Sequence, residues 1–152
     1  MGKFQSTKLF DGFSCVFRQW KAKNTHCRFM HGYGVSFRVW FEGSLDDRNW
    51  VWDFGGMKRA QTKIDGMSPK AWMDYMFDHT ILVAKDDPML NLINDLEHNQ
   101  IAQVRVVEAT GAEKFAEFIF GKLNKFVQTE TDGRVRVAKV EFMEHGKNTA
   151  IY

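Results

Sequence analysis

Three places in this 152-residue chain put reactive side chains where they could do acid–base work. Cys27 follows His26 and precedes His31, and positive charge near a thiol favours the thiolate, the form that attacks or moves protons. The plainer alternative is a loop thiol of no consequence. Asp78 is followed directly by His79, and a carboxylate beside an imidazole can fix its tautomer and raise its basicity. Asp78 also fits as a polar residue ending a helix. Glu144 falls in phase with Ala138, Val140 and Phe142, on the apolar face of a strand. A carboxylate there is costly unless it is paired or binds something. The alternatives are a strand-end Glu turned to solvent, or one paired with His145 or Lys147. Cys15 reads as a small buried hydrophobe, Asp53 as a turn or cap residue. Gly55-Gly56 and Gly32-Tyr33-Gly34 read as turns rather than phosphate cradles.

The elements that must position these residues follow from periodicity. Tyr33, Val35, Phe37, Val39 and Phe41 alternate with Ser36 and Arg38, the signature of a half-buried strand, with Glu42 on the polar side. Phe10 to Trp20 is also strand-like, with Phe13, Cys15 and Phe17 on one face, and a long loop through Asn24 to Gly32 joins the two. Ser68-Pro69 is an N-cap and first-turn pair that opens a short helix through Trp72 and Met76. Asp87-Pro88 repeats the device before Leu92, Ile93 and Leu96. A short strand is expected from Gln103 to Val107. The clearest helix carries Phe115, Phe118, Ile119, Leu123 and Phe126, with Thr110 and Glu113 as a capping box at its start. Asp132-Gly133 is a turn, and Arg134 to Glu144 a final long strand. The order implies one α+β domain over residues 1–152, with antiparallel pairing and no doubly wound nucleotide fold.

Composition narrows the partners. Hydrophobic residues make up 44% and aromatics 14%, with 14 Phe, 5 Trp and 8 Met, so a full core leaves apolar surface for subunit contacts. Twenty-one basic and 19 acidic side chains are mixed along the chain for a net charge of +2, which disfavours a nucleic-acid partner. No apolar stretch approaches membrane-spanning length, and the N-terminus lacks the apolar core of a secretory signal. Gly2 with Ser6 matches a myristoylation pattern superficially, and nothing else supports it. Two cysteines are too few for a disulfide scaffold, so a reduced, cytoplasmic setting is expected.

Four separated segments, in order, resemble the family of 6-pyruvoyl- and 6-carboxy-tetrahydropterin synthases. Phe13-Ser14-Cys15-Val16-Phe17-Arg18 is similar to that family's first strand, where a His normally precedes the Arg. Cys27-Arg28-Phe29-Met30-His31-Gly32-Tyr33 is similar to its cysteine followed by His-Gly-His. Trp52-Asp53-Phe54 and Asp78-His79-Thr80-Ile81-Leu82 match its Asp-Phe and Asp-His-x-x-Leu elements. Glu144 through Tyr152 has its spacing from a pterin-anchoring Glu to a closing Tyr, and Thr110 to Ala116 resembles its last helix start. The resemblance implies a T-fold, an antiparallel sheet with helices on one face. It also implies subunits joined as homotrimers or homohexamers, with sites between subunits.

The resemblance further implies site roles: Cys27 as the base, Asp78 and His79 as its support, Glu144 as the anchor of the heterocycle, and Glu113 as a further contact. It implies a zinc site that this chain departs from. A catalytic zinc needs three protein ligands and an open position. The matching positions are Phe17, His31 and Tyr33; a phenyl ring cannot ligate and a phenol is a poor neutral ligand, so only His31 remains. Cys15, on the face of Phe17, is the one substitute in reach of the pattern, and zinc is disfavoured. The expected activity is proton transfer on a reduced pterin such as 7,8-dihydroneopterin triphosphate, in the manner of the family's lyases. The alternatives are a non-catalytic pterin- or purine-binding oligomer and a purely structural one.

Overall fold

The computed structural model describes residues 3–152, so the Gly2 pattern lies outside the described residues. Strands β1 (Phe4–Phe17) and β2 (His31–Gly43) form a long antiparallel pair. Their alternation matches the expectation: Phe13, Cys15 and Phe17 are buried from β1, and Val35, Phe37, Val39 and Phe41 from β2. Phe10 and Phe13 are both buried although three residues apart, because a bulge between them, with Gly12 at φ 82°, resets the face. β1 begins well before the expected Phe10; its first half pairs with β2 while keeping mostly exposed side chains, which hides it from a reading based on burial.

Strand β5 (Val135–His145) pairs antiparallel with β2, and β6 (Asn148–Ile151) with β5. Here one detail of phase is corrected. Trp40 pairs with Lys139 and Phe41 with Val137, so Ala138 is the extra residue of a bulge. Val135 and Val137 therefore join Val140 and Phe142 in the core. Glu144, half-buried, is itself the extra residue of a second bulge, between Met143 paired with Thr149 and His145 paired with Asn148, so its phase with Ala138, Val140 and Phe142 does not carry through.

The two remaining strands, β3 (Thr80–Ala84) and β4 (Val104–Val107), extend the sheet in parallel on the far side of β1, giving the order β4-β3-β1-β2-β5-β6. The antiparallel pairing expected from sequence holds for β1, β2 and β5; β5 is not the final strand expected, because β6 follows it and pairs antiparallel with its end. β3 was not anticipated as a strand: its five residues are all buried, so it shows no alternation. Leu82 faces the main core, while Ile81 and Val83 face a second cluster with Ile93 and Val104.

Helices α1 (Gly56–Arg59), α2 (Pro69–Phe77) and α4 (Ala112–Glu130) contribute to the main core; α3 (Leu90–His98) covers the second cluster on the opposite face. Ser68 caps α2 as expected, its Oγ accepting from the Ala71 N–H at 3.2 Å, with Pro69 in the first turn. The other two expected caps are corrected. Asp87 does not cap α3; it is buried, and its carboxylate accepts from Arg18 Nη2 at 2.6 Å and Nε at 2.8 Å and from the Met89 N–H at 2.9 Å. The N-cap of α4 is Gly111, at φ 114°, and Thr110 instead donates its hydroxyl to the Arg18 carbonyl at 2.7 Å. The helix starts one residue later than a capping box requires, and the hydroxyl satisfies the end of β1.

Candidate functional site

One end of the concave sheet face gathers most of the residues singled out from sequence. The β1–β2 register sets Cys15 opposite Tyr33 and Phe17 opposite His31. Phe17 stacks on Tyr33 with ring centroids 4.3 Å apart and planes 13° from parallel, and meets Phe115 of α4 edge-on at 4.9 Å. His31 lies against Tyr33, centroids 4.6 Å apart, and the Tyr33 hydroxyl is 2.5 Å from His31 Nε2. The other imidazole nitrogen, Nδ1, is 2.9 Å from the Phe29 carbonyl.

The electrostatics join the end of β5 and the start of α4 to this cluster. The Glu144 carboxyl is pushed up from its ordinary range, first by burial and then by the Glu113 carboxylate, against the opposing pull of His145 and His31. No hydrogen bond contributes to that shift, so the carboxylate faces the site without a protein donor among the described residues. The Tyr33 phenol is pushed up to about 12 by burial, with Glu144, Cys27 and Cys15 adding to it. Burial, with the Asp78 carboxylate behind it, pushes the Cys15 thiol up to about 12 as well. Cys15 is thus a buried, protonated thiol that packs as a small hydrophobe.

Cys27 sits in a single 3-10 turn, His26–Arg28, capped by Thr25, whose Oγ1 accepts from the Cys27 N–H at 3.1 Å. It is half-buried and close enough to Tyr33 to act on its phenol. Asp78 and His79 lie on the other side of β1. Asp78 Oδ1 accepts from the Ser14 N–H at 3.1 Å, and His79 Nε2 is 3.8 Å from Asp78 Oδ2. The His79 backbone is left-handed, φ 58°, and its side chain is 79% exposed. Within one chain, then, the structure brings together His31, Tyr33, Glu144, Glu113 and Cys27; Asp78 reaches this cluster only through Cys15, and exposed His79 points its contact at Asp78. Asp53 is the turn residue expected, its Oδ1 accepting from the Gly55 N–H at 2.9 Å. A cavity of about 490 Å³ lies at the far end of β1, lined by Phe4, Trp50, Trp52 and Phe54 among others, and shares none of the site residues.

Sequence reasoning missed two contributors. Gln19 packs so closely on Gly111 that a Cβ there would meet its amide nitrogen at 2.2 Å, which places Gln19 beside Glu113. The Arg18–Asp87 pair, with Asp87 buried and Arg18 partly exposed, ties the end of β1 to the start of α3. Only the second left a signal, a charged residue in a strand otherwise facing apolar surroundings.

The three positions matching a metal site do converge, and what converges does not fit a zinc ion. A phenyl ring, a phenol and an imidazole meet as an aromatic stack, and the one imidazole lone pair already receives the Tyr33 hydroxyl. Among the described residues no group of three or more His, Cys, Asp or Glu is placed to hold a metal. Even with Cys15, buried on the same face of β1 as Phe17, the set would reach two ligands, short of the three a zinc site needs.

Similarity to known proteins agrees with the geometry. Over its whole length the chain superposes on an uncharacterized protein from Wolinella succinogenes, with TM-score 0.81, 22% identity and 98% of that chain covered. It superposes on the 6-pyruvoyl tetrahydropterin synthase of Caenorhabditis elegans with TM-score 0.64 and 16% identity, covering 100% of this chain and 96% of that one. For the Plasmodium vivax 6-pyruvoyl tetrahydropterin synthase the values are 0.64 and 13%, with 98% and 97% covered. At these identities the likeness shows a shared T-fold. No curated protein matches the sequence. The family model described as 6-pyruvoyl tetrahydropterin synthase matches residues 7–152, and the chain belongs to that family.

Proposed function

We propose that this chain binds a reduced pterin, or a closely related bicyclic heterocycle, against Glu144, and that Cys27 moves protons at the ligand's side chain without a zinc ion. The observation that carries the reading is Glu144: a half-buried carboxylate, pushed toward its neutral form by burial and Glu113, with no protein hydrogen bond to offset that cost. A pterin presents an amino group and a ring N–H side by side, and one carboxylate accepts both. Half-buried Cys27, close to the same phenol, supports the proton-transfer role, as does family membership. The second reading is a non-catalytic binding module, favoured by the contacts of Asp78 and His79, which go to the Ser14 backbone and to each other rather than to Cys27. Assembly into trimers or hexamers is part of the first reading, since a neighbour would have to supply that support.

Titration of 7,8-dihydroneopterin against wild type, Glu144→Gln and Cys27→Ser tests it. Glu144→Gln should weaken binding by about 2–4 kcal/mol, because an amide accepts at only one end. Cys27→Ser should leave affinity near wild type and remove turnover, since a proton shuttle acts in the transition state. Equal affinity of wild type and Glu144→Gln removes the pterin reading. Turnover by no form, with binding lost only in Glu144→Gln, leaves the binding module.

A further inference from the structure

His31 and Tyr33 are two residues apart on β2, so their side chains leave the same face of the sheet. Their hydrogen bonds fix a direction. The Phe29 carbonyl can only accept, so His31 Nδ1 carries the hydrogen across the 2.9 Å contact. A neutral imidazole protonated at Nδ1 has its lone pair at Nε2, and there it receives the Tyr33 O–H at 2.5 Å. The phenol has then committed its only hydrogen inside the dyad, and what its oxygen can still offer to a ligand is a lone pair. The stack of Phe17 on the phenol ring holds it in place.

We propose that the His31–Tyr33 dyad is a hydrogen-bond acceptor for a hydroxyl on the ligand's side chain, standing where the metal ligands of a zinc site would converge. This rests on the heterocycle reading above and adds a specificity to it. A metal ion takes the lone pairs of ligand oxygens; a phenol oxygen whose hydrogen is already spent takes a ligand hydrogen. The polarity of the position is inverted. A polyol or hydroxymethyl side chain fits it. A carboxylate or keto side chain would set lone pair against lone pair, with Glu144 and Glu113 adding repulsion to an anion. Burial keeps the phenol protonated far above neutral pH, so the O–H that anchors it on His31 persists.

The test compares 7,8-dihydroneopterin with 6-methyl-7,8-dihydropterin and pterin-6-carboxylate by calorimetry on wild type, Tyr33→Phe and Glu144→Gln. Wild type should prefer the hydroxylated ligand to both others. Tyr33→Phe should weaken dihydroneopterin by about five- to tenfold, the loss of one hydrogen bond, and leave 6-methyl-7,8-dihydropterin unchanged. Glu144→Gln should weaken both neutral ligands alike. If Tyr33→Phe affects neither ligand, or both equally, the dyad's role is overturned while the heterocycle reading stands. If Glu144→Gln is indifferent but Tyr33→Phe is selective, the anchor is wrong and the dyad survives. Binding of neither ligand to wild type overturns both. Nitrogen-15 spectra of His31 in the ligand-free protein give a separate readout: a single Nδ1-protonated tautomer is expected, becoming a mixture in Tyr33→Phe. An Nε2-protonated His31 in wild type overturns the dyad whatever binds.

Discussion

Glu144 lies near the end of β5, at the bulge between Met143 and His145, and its surroundings decide when it is charged. Burial first, and Glu113 second, hold its carboxyl above the ordinary glutamate value of about 4.3; His145 and His31 pull the other way. Binding through two ring hydrogens needs the carboxylate. Affinity should therefore be full at neutral pH and fall as pH drops through the raised value, sooner than for an unburied glutamate. A pterin affinity series from roughly pH 8 down to pH 4 measures this, with Glu144→Gln flat across it. A midpoint within the ordinary range would mean the carboxyl is not buried as the structure has it. The zinc expectation belongs to the same scale: elemental analysis after mild dialysis should find little zinc, and a stoichiometric content would overturn the metal-free reading. The missing ligands at Phe17 and Tyr33 are legible in the sequence because residue type alone excludes them. The bond that uses His31's lone pair is not, since it depends on where the Phe29 carbonyl ends up after the loop.

Elements were legible where one face is buried and the other wet. β1, β2 and β5 show this alternation, and α4 shows the helical stripe. They were hidden where both faces are covered: β3 has no polar positions to alternate with, and only α3 on its second face explains Ile81 and Val83. Caps misled for a related reason. Asp87 and Thr110 have the right residue types, but both are taken by Arg18, whose guanidinium and carbonyl need partners at the end of β1. The Arg18–Asp87 pair makes a prediction at this scale. Asp87→Asn should destabilise the fold by about 2 kcal/mol, less than a fully buried pair because Arg18 is partly exposed and can turn to water. Arg18 holds the Asp87 carboxyl below the ordinary aspartate range. The pair's stabilisation is therefore present above the ordinary aspartate value of about 3.9 and is lost as pH falls through the depressed folded value. Urea unfolding of wild type and Asp87→Asn should show a gap at neutral pH that narrows in acid. A gap constant to the acid limit would mean the pair does not act through its charge.

At the scale of the molecule, the sheet ends in two unlike edges. β6 is one, ending in exposed Ile151 with exposed Tyr152 just beyond; β4 is the other, with Val106 exposed on it and Ile101 in the turn before it. The nearby first half of β5 is not open in the same way, because side chains of α4 and its C-cap cover it: Thr131 Oγ1 accepts from the Val135 N–H at 3.0 Å and Asn124 Oδ1 from the Val137 N–H at 2.9 Å. Open edges invite another chain. A contact that joins one edge to the unlike edge of a second copy is head-to-tail, and it closes into a ring where the rotation permits. The ring of the proposed function would bring a neighbour's surface to exposed His79 and to half-buried Cys27. Light scattering should therefore give three or six times the 17.7 kDa chain mass. Val106→Arg, which puts a charge on the β4 edge without touching the site, should shift the protein toward monomer and reduce turnover with it. A stable wild-type monomer at micromolar concentration sinks the ring. A monomeric Val106→Arg with full turnover would show instead that one chain carries the whole site, and that Cys27 works without Asp78 and His79 of a neighbour.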